Sequence, residues 1–125
     1  ADEYVGTYNA KVLNDGNEGV LTITKSSNDL VVDFKENSGP NSSYELNFNL
    51  KGNYRKDRGD FQFETCSDCL SSVENYDLTE GYIEKLTIDD ESQITLYLDT
   101  EYRDTILNTL STAKMSFIIE TDWRN

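Results

Sequence analysis

Histidine is absent from this sequence. Its absence removes the Ser-His-Asp and Cys-His nucleophile arrangements, every histidine-containing zinc site and the most frequent general base. No Gly-rich phosphate loop or Walker sequence occurs either. An enzyme would have to work with carboxylates, tyrosine or lysine alone, so we expect a non-enzymatic protein with no cofactor and no metal. Basic residues are scarce: 11 Lys and Arg stand against 24 Asp and Glu, a formal net charge of -13. Such a surface repels nucleic-acid phosphates and anionic membranes. A basic protein partner, bound cations or plain solubility remain. No apolar run approaches the roughly 20 residues that cross a bilayer as a helix, so a membrane-spanning chain is not expected.

What is present is alternation. In GVLTITKSSNDLVVDFK, at 19–35, Leu21 and Ile23 alternate with Thr22 and Thr24, and Leu30, Val32 and Phe34 alternate with Val31, Asp33 and Lys35. Strand side chains point to opposite faces in turn, so each half offers one greasy and one wetter face. Ser26, Ser27, Asn28 and Asp29 between them read as a hairpin turn. The figure recurs along the chain: Tyr4, Gly6, Tyr8, Ala10 and Val12; Tyr44, Leu46, Phe48 and Leu50; Phe61 and Phe63; Tyr82, Glu84, Leu86 and Ile88; Ile94, Leu96 and Leu98; Met115, Phe117 and Ile119. Turn-forming stretches separate them: NDGNEG at 14–19, ENSGPNSS at 36–43 with the single proline, GNYRKDRGD at 52–60 and DDES at 89–92. From 70 to 81 the chain reads as polar and irregular. Tyr102, Ile106 and Leu110 recur every fourth residue, which fits either one short amphipathic helix or a structured loop at 101–114.

About eight strands joined by short polar turns, without a βαβ rhythm, predict an all-β, antiparallel up-and-down meander. A meander of this length must hide its edges; closing into a barrel does so, a two-sheet sandwich is the competing answer, and consecutive hairpins without long Greek-key crossovers favour the barrel. The 125 residues suffice for a single β-barrel domain, 1–125. Tyr8, Leu21, Val32, Phe34, Leu46, Phe48, Phe63, Leu86, Leu96 and Phe117 are the expected inward residues.

Gly6-Thr7-Tyr8 opens the first strand as Gly-X-aromatic ahead of that meander. The combination resembles the calycins, which comprise lipocalins, fatty-acid-binding proteins and the avidin group. It is nearest to the small lipocalin-like domains of bacterial envelope and secreted proteins. In lipocalins the pattern is Gly-X-Trp, with the indole packed against an Arg from near the last strand. Tyr8 stands where that Trp would be, and Arg124, beside Trp123, would supply the Arg. The helix candidate departs from the lipocalin order, because it precedes the last strand. The resemblance implies a small, largely apolar ligand inside the barrel, and we nominate Tyr8, Phe34, Tyr44, Phe48 and Phe63 as its binding residues. The alternative is a filled barrel that acts through its loops as an acidic protein-interaction or inhibitor domain.

The two cysteines form Cys66-Ser-Asp-Cys69. As a redox pair the spacing lacks its βαβ setting, and Glu64 and Asp68 disfavour a thiolate. As a metal site it lacks a second pair and any histidine. A local disulfide between Cys66 and Cys69, formed in an oxidising compartment, is the expected state. The opening ADEYVG has neither an initiator Met nor a signal-peptide profile, which suits a mature secreted or periplasmic chain. The acidic turns NDGNEG and DDES do not match the EF-hand spacing and read as solvated turns. Asn41-Ser42-Ser43 fits an N-glycosylation acceptor. Eight tyrosines, among them Tyr54, Tyr76, Tyr97 and Tyr102 in loops or on wetter faces, supply either barrel-end cover or a recognition surface.

Overall fold

A computed structural model describes residues 2–37, 46–70, 75–104, 106–107 and 109–123, with side chains for all of these except 104 and 109–114. A single-turn 3-10 helix, Asp2–Tyr4, precedes β1 (Gly6–Val12), β2 (Glu18–Ser26), β3 (Asp29–Glu36), β4 (Asn47–Arg55), β5 (Asp60–Phe63), β6 (Cys66–Ser67), β7 (Tyr76–Ile88), β8 (Glu91–Asp104) and β9 (Thr109–Thr121). Every described pairing is antiparallel. Sheet order is β5-β4-β3-β2-β1-β9-β8-β7-β6, and an additional β5–β7 pairing closes it on itself. Eight strands therefore form an up-and-down barrel, with β6 as a short addition to β7.

The turn chemistry follows the sequence. Ser26 pairs with Asp29 around Ser27, which adopts a φ of 59°, and Ile88 pairs with Glu91 around Asp89 and Asp90, at 52° and 67°. Polar residues tolerate this left-handed region, and hairpin turns of two residues need it. Inward residues then fall into register. Leu21, Phe34 and Phe48 are successive cross-strand partners, as are Ile23, Val32 and Leu50. Phe34 and Phe48 stack at a tilt, centroids 5.5 Å apart.

Two expectations change. Instead of a helix or loop at 101–114, β8 runs on to Asp104 and β9 starts at Thr109, with Arg103 opposite Leu110 and Asp104 opposite Thr109. Ile106, which a helix would have turned inward, is 91% exposed at the hairpin tip. Thr109 and Thr112 favour the extended backbone of β9 because branching at Cβ restricts χ1 in a helix. The second change is the phase of β7. Leu78, Gly81 and Ile83 face inward, and Leu86, expected in the core, is 51% exposed. The irregularity between Leu78 and Glu80 shifts the alternation, and β5 pairs β7 at Phe61–Ile83 and Gln62–Tyr82, so Leu86 and Ile88 lie on the hairpin beyond that contact. Strand β7 also begins at Tyr76, inside the stretch expected to be irregular.

One barrel end is stoppered by the chain's own side chains. There Tyr4 is buried, edge-on to Phe61 at 5.1 Å, and Lys85 Nζ donates to the Glu3 carbonyl at 2.8 Å. Burial pushes the Tyr4 hydroxyl up to about 12, against a hydrogen bond from the Lys85 backbone that acts in the other direction. Gly6, at φ 156°, lies under the ring of Tyr8, whose hydroxyl donates to the Tyr4 carbonyl at 2.9 Å. This is the physical content of Gly6-Thr7-Tyr8: the ring folds back over a residue that has no Cβ.

Gly19 is equally constrained, since a Cβ there would sit 2.5 Å from both the Lys35 carbonyl and Phe34 Cζ. Gly19→Ala is expected to cost about 1–3 kcal/mol through overpacking, read as a lower urea midpoint; an unchanged midpoint would show that β2 and β3 give way. Tyr4 supplies a pH test. Its raised pKa means the folded chain holds a proton that the unfolded chain releases near pH 10. Stability present below pH 10 is therefore lost as pH rises toward 12. Tyr4→Phe should flatten this alkaline limb and remove one late-titrating tyrosinate from the absorbance titration, whereas an identical limb would refute the burial of the hydroxyl.

Candidate functional site

The nominated ligand residues part company in the structure. Phe34, Phe48 and Phe63 lie in the barrel core at 0%, 5% and 3% exposure. A cavity able to admit even one water would leave accessible surface on its walls, and these three rings present almost none. Tyr8 sits half-buried over Gly6 and borders an open cleft with Thr7, Asn9 and Asp122. Tyr44 lies outside the described residues, as do Arg124 and the Asn41-Ser42-Ser43 sequence. Two other described clefts reach core side chains from the surface, one between Thr65, Cys66, Asp77 and Leu78, another between Glu3, Lys25, Tyr54 and Phe61.

The outer wall of β5, β7, β8 and β9 gathers more chemistry. Cross-strand register places Ile118, Tyr97, Tyr82 and Gln62 in one outward row. Tyr82 and Tyr97 stack with centroids 4.6 Å apart. The Arg55 guanidinium lies 5.5 Å from the Tyr82 centroid and is gripped by Asp60 through two hydrogen bonds of 2.6 Å. A fork of this kind fixes the guanidinium plane, which a lysine could not do. Tyr97 donates to Glu84 Oε1 at 3.2 Å, and its pKa is raised by burial first and then by the charge of Glu84.

Carboxylates surround this row. Glu80 is directly opposite Asp99, and Asp77 directly opposite Glu101. Like charges facing one another across a strand pair repel. Arg103 relieves one of these pairs, donating through Nη1 to Asp77 at 2.7 Å and through Nη2 to Asp68. Asp68 is held below the usual carboxylate range, chiefly by that hydrogen bond. It occupies φ 52° in the loop closed by the Cys66–Cys69 disulfide, whose strand β6 lies against Leu78 and Asp77. The disulfide thus presents a carboxylate to Arg103 and anchors that end of the wall. Tyr76 and Tyr102 meet edge-on at 5.5 Å beside it.

Sequence reasoning places Tyr97 on a wetter face but turns Tyr82 inward with Leu86. Glu84, in the middle of that alternation, is the signal against it, since an inward phase would bury an acid. The Arg55–Asp60 fork spans the turn at 52–60, which also carries Lys56 and Arg58, and only the β4–β5 register picks Arg55 out. Comparison with family models, with curated proteins and with solved structures finds no match.

Removing one member of an opposed acid pair tests the electrostatics of this wall. Glu80→Gln should raise stability by about 0.2–1 kcal/mol at low salt, with the gain shrinking in high salt as the charges are screened. A loss of stability, or a gain indifferent to salt, would contradict the repulsion.

Proposed function

We propose that this chain is a non-enzymatic interaction domain, a filled calycin-like barrel whose outer β5–β7–β8–β9 wall docks a basic partner protein. The single observation that carries the reading is the opposition of Glu80 to Asp99 on an exposed face beside the Tyr82–Tyr97 stack. Like charges at directly opposite strand positions are destabilising; Asp99 Oδ1 accepts from Ser116 Oγ at 2.7 Å, and a partner's arginine or lysine near Glu80 and Asp99 would turn the remaining repulsion into affinity. Tyrosines add rigid contact area with polar tips, and arginine side chains stack well on their faces. The excess of 24 acidic over 11 basic residues steers such a partner toward the domain from a distance. A secreted or periplasmic setting is the compartment we assign, supported by the Cys66–Cys69 disulfide. The ligand-vessel reading rests on the calycin resemblance and has no room in its favour at Phe34, Phe48 or Phe63.

One titration series separates the two. With amide shifts as the readout, an Arg- and Lys-rich peptide should perturb 80–84, 97–101 and 116–120, and its affinity should fall at least about tenfold between low and physiological salt. An apolar fluorescent probe should show no saturable binding. Saturable probe binding that shifts Phe34, Phe48 and Phe63 would establish a vessel instead, and peptide shifts scattered over the whole barrel would remove the docking wall.

A further inference from the structure

At the Tyr4 end of the barrel the β7–β8 hairpin outruns its neighbours. Pairing of β7 with β5 stops at Ile83, and pairing of β8 with β9 begins at Thr95. On the outer face of the hairpin Leu86 and Ile88 follow Tyr82 and Glu84 in strand alternation, and both are more than half exposed. The end of β9 is tied to β8 here: the Ile94 N–H donates to Thr121 Oγ1 and Gln93 Nε2 donates to the Thr121 carbonyl, each at 3.0 Å. The chain beyond β9 therefore passes the hairpin and brings Trp123 to it. Trp123, Ile88, Asp89 and Glu91 line an open notch of about 150 Å³.

Trp123 is the one tryptophan of the chain and is 43% exposed. Among the described residues no second ring and no cation lies on its indole. None of the described ion pairs takes in Asp89, Asp90 or Glu91. Lys85 lies on the other face of β7, where it donates to the Glu3 carbonyl, and Arg55 is held by Asp60. Exposed apolar surface rimmed by charge marks an interaction site. An aromatic anchor would strip water from two carboxylates without answering them. A two-fold pair of these chains would set the same acids against their own copies, in a protein of net charge -13. Arginine suits every wall: its stem covers Ile88 and Leu86, and its planar head stacks on an indole while donating to carboxylates.

We propose that the notch between Ile88, Asp89, Glu91 and Trp123 is an arginine-binding site that anchors the basic partner at the hairpin end of the outer wall. The inference rests on the docking reading above and deepens it. From Glu80 to Ile88 the unbroken β7 register spans roughly 26 Å. A partner that also reaches the Glu80–Asp99 pair therefore presents a second basic residue about eight extended residues from the anchoring arginine.

The test is tryptophan fluorescence of the full chain, which reports Trp123 alone when excited beyond the tyrosine band. A nine-residue polyarginine peptide should move that emission along one saturable curve. Asp89→Asn combined with Glu91→Gln should weaken the binding at least about threefold, as expected for two exposed ion pairs. Glu18→Gln combined with Asp33→Asn removes the same charge from β2 and β3 and should leave the affinity within a factor of about two. Equal losses in the two double variants would mean general attraction to an acidic surface and would overturn the site. So would a polylysine peptide of equal length that matches polyarginine in affinity and emission shift. An emission change on concentrating the protein alone would give the notch to a second copy and overturn the proposal. If polyarginine shifts the amides of 80–84 and 97–101 while Trp123 emission stays constant, the docking wall stands and the notch falls. If neither responds, both fall.

Discussion

The pairing of Phe61 with Ile83 and of Gln62 with Tyr82 is the contact on which the rest of the molecule depends. Without it the sheet order β5-β4-β3-β2-β1-β9-β8-β7-β6 would be an open ribbon with unpaired groups at both edges, a template for aggregation. With it, each side of the joint serves a different purpose. Phe61 and Ile83 point inward, and Phe61 meets both Tyr4 and Tyr54 at the barrel end. Gln62 and Tyr82 point outward and extend the row that carries Tyr97. One register therefore sets the core stopper and the aromatic wall together, and a slip by one residue would turn both inside out.

Closure of eight strands leaves an interior about wide enough for side chains. Among the described residues five phenylalanines, eight leucines and four isoleucines make up the buried core. On our proposal a filled barrel presents its chemistry outside, and on its outer wall acids stand opposite acids. Glu80 facing Asp99 and Asp77 facing Glu101 are poor choices for a sheet that had only to fold. Arg103 and Arg55 hold the margins of that wall by forks to Asp77, Asp68 and Asp60.

The all-β class, the meander, the hairpin at 26–29 and most of the core were legible from period-2 alternation, because a half-buried strand writes its two faces directly into sequence. The Cys66–Cys69 disulfide was legible from loop length and composition. Phase in β7 was not, since the irregularity at Leu78–Glu80 breaks the period and Leu86 and Ile88 mimic core residues on a hairpin that outruns its β5 neighbour. The four-residue spacing of Tyr102, Ile106 and Leu110 was a coincidence of a strand end, a hairpin tip and the returning strand. The candidate wall could not be read from sequence. Glu80 stands opposite Asp99 only once the β7–β8 register is set.

Whether the interior is filled decides between an outer docking wall and an inner vessel, and xenon reports on it directly. Apolar cavities of roughly 150 Å³ that exclude water take up xenon, so methyl shifts of the core leucines, isoleucines and valines can be followed under xenon pressure. A filled barrel predicts small shifts that stay linear with pressure at Leu21, Val32, Leu96 and Ile119. A saturable shift centred on those methyls would reveal an internal chamber and contradict the account.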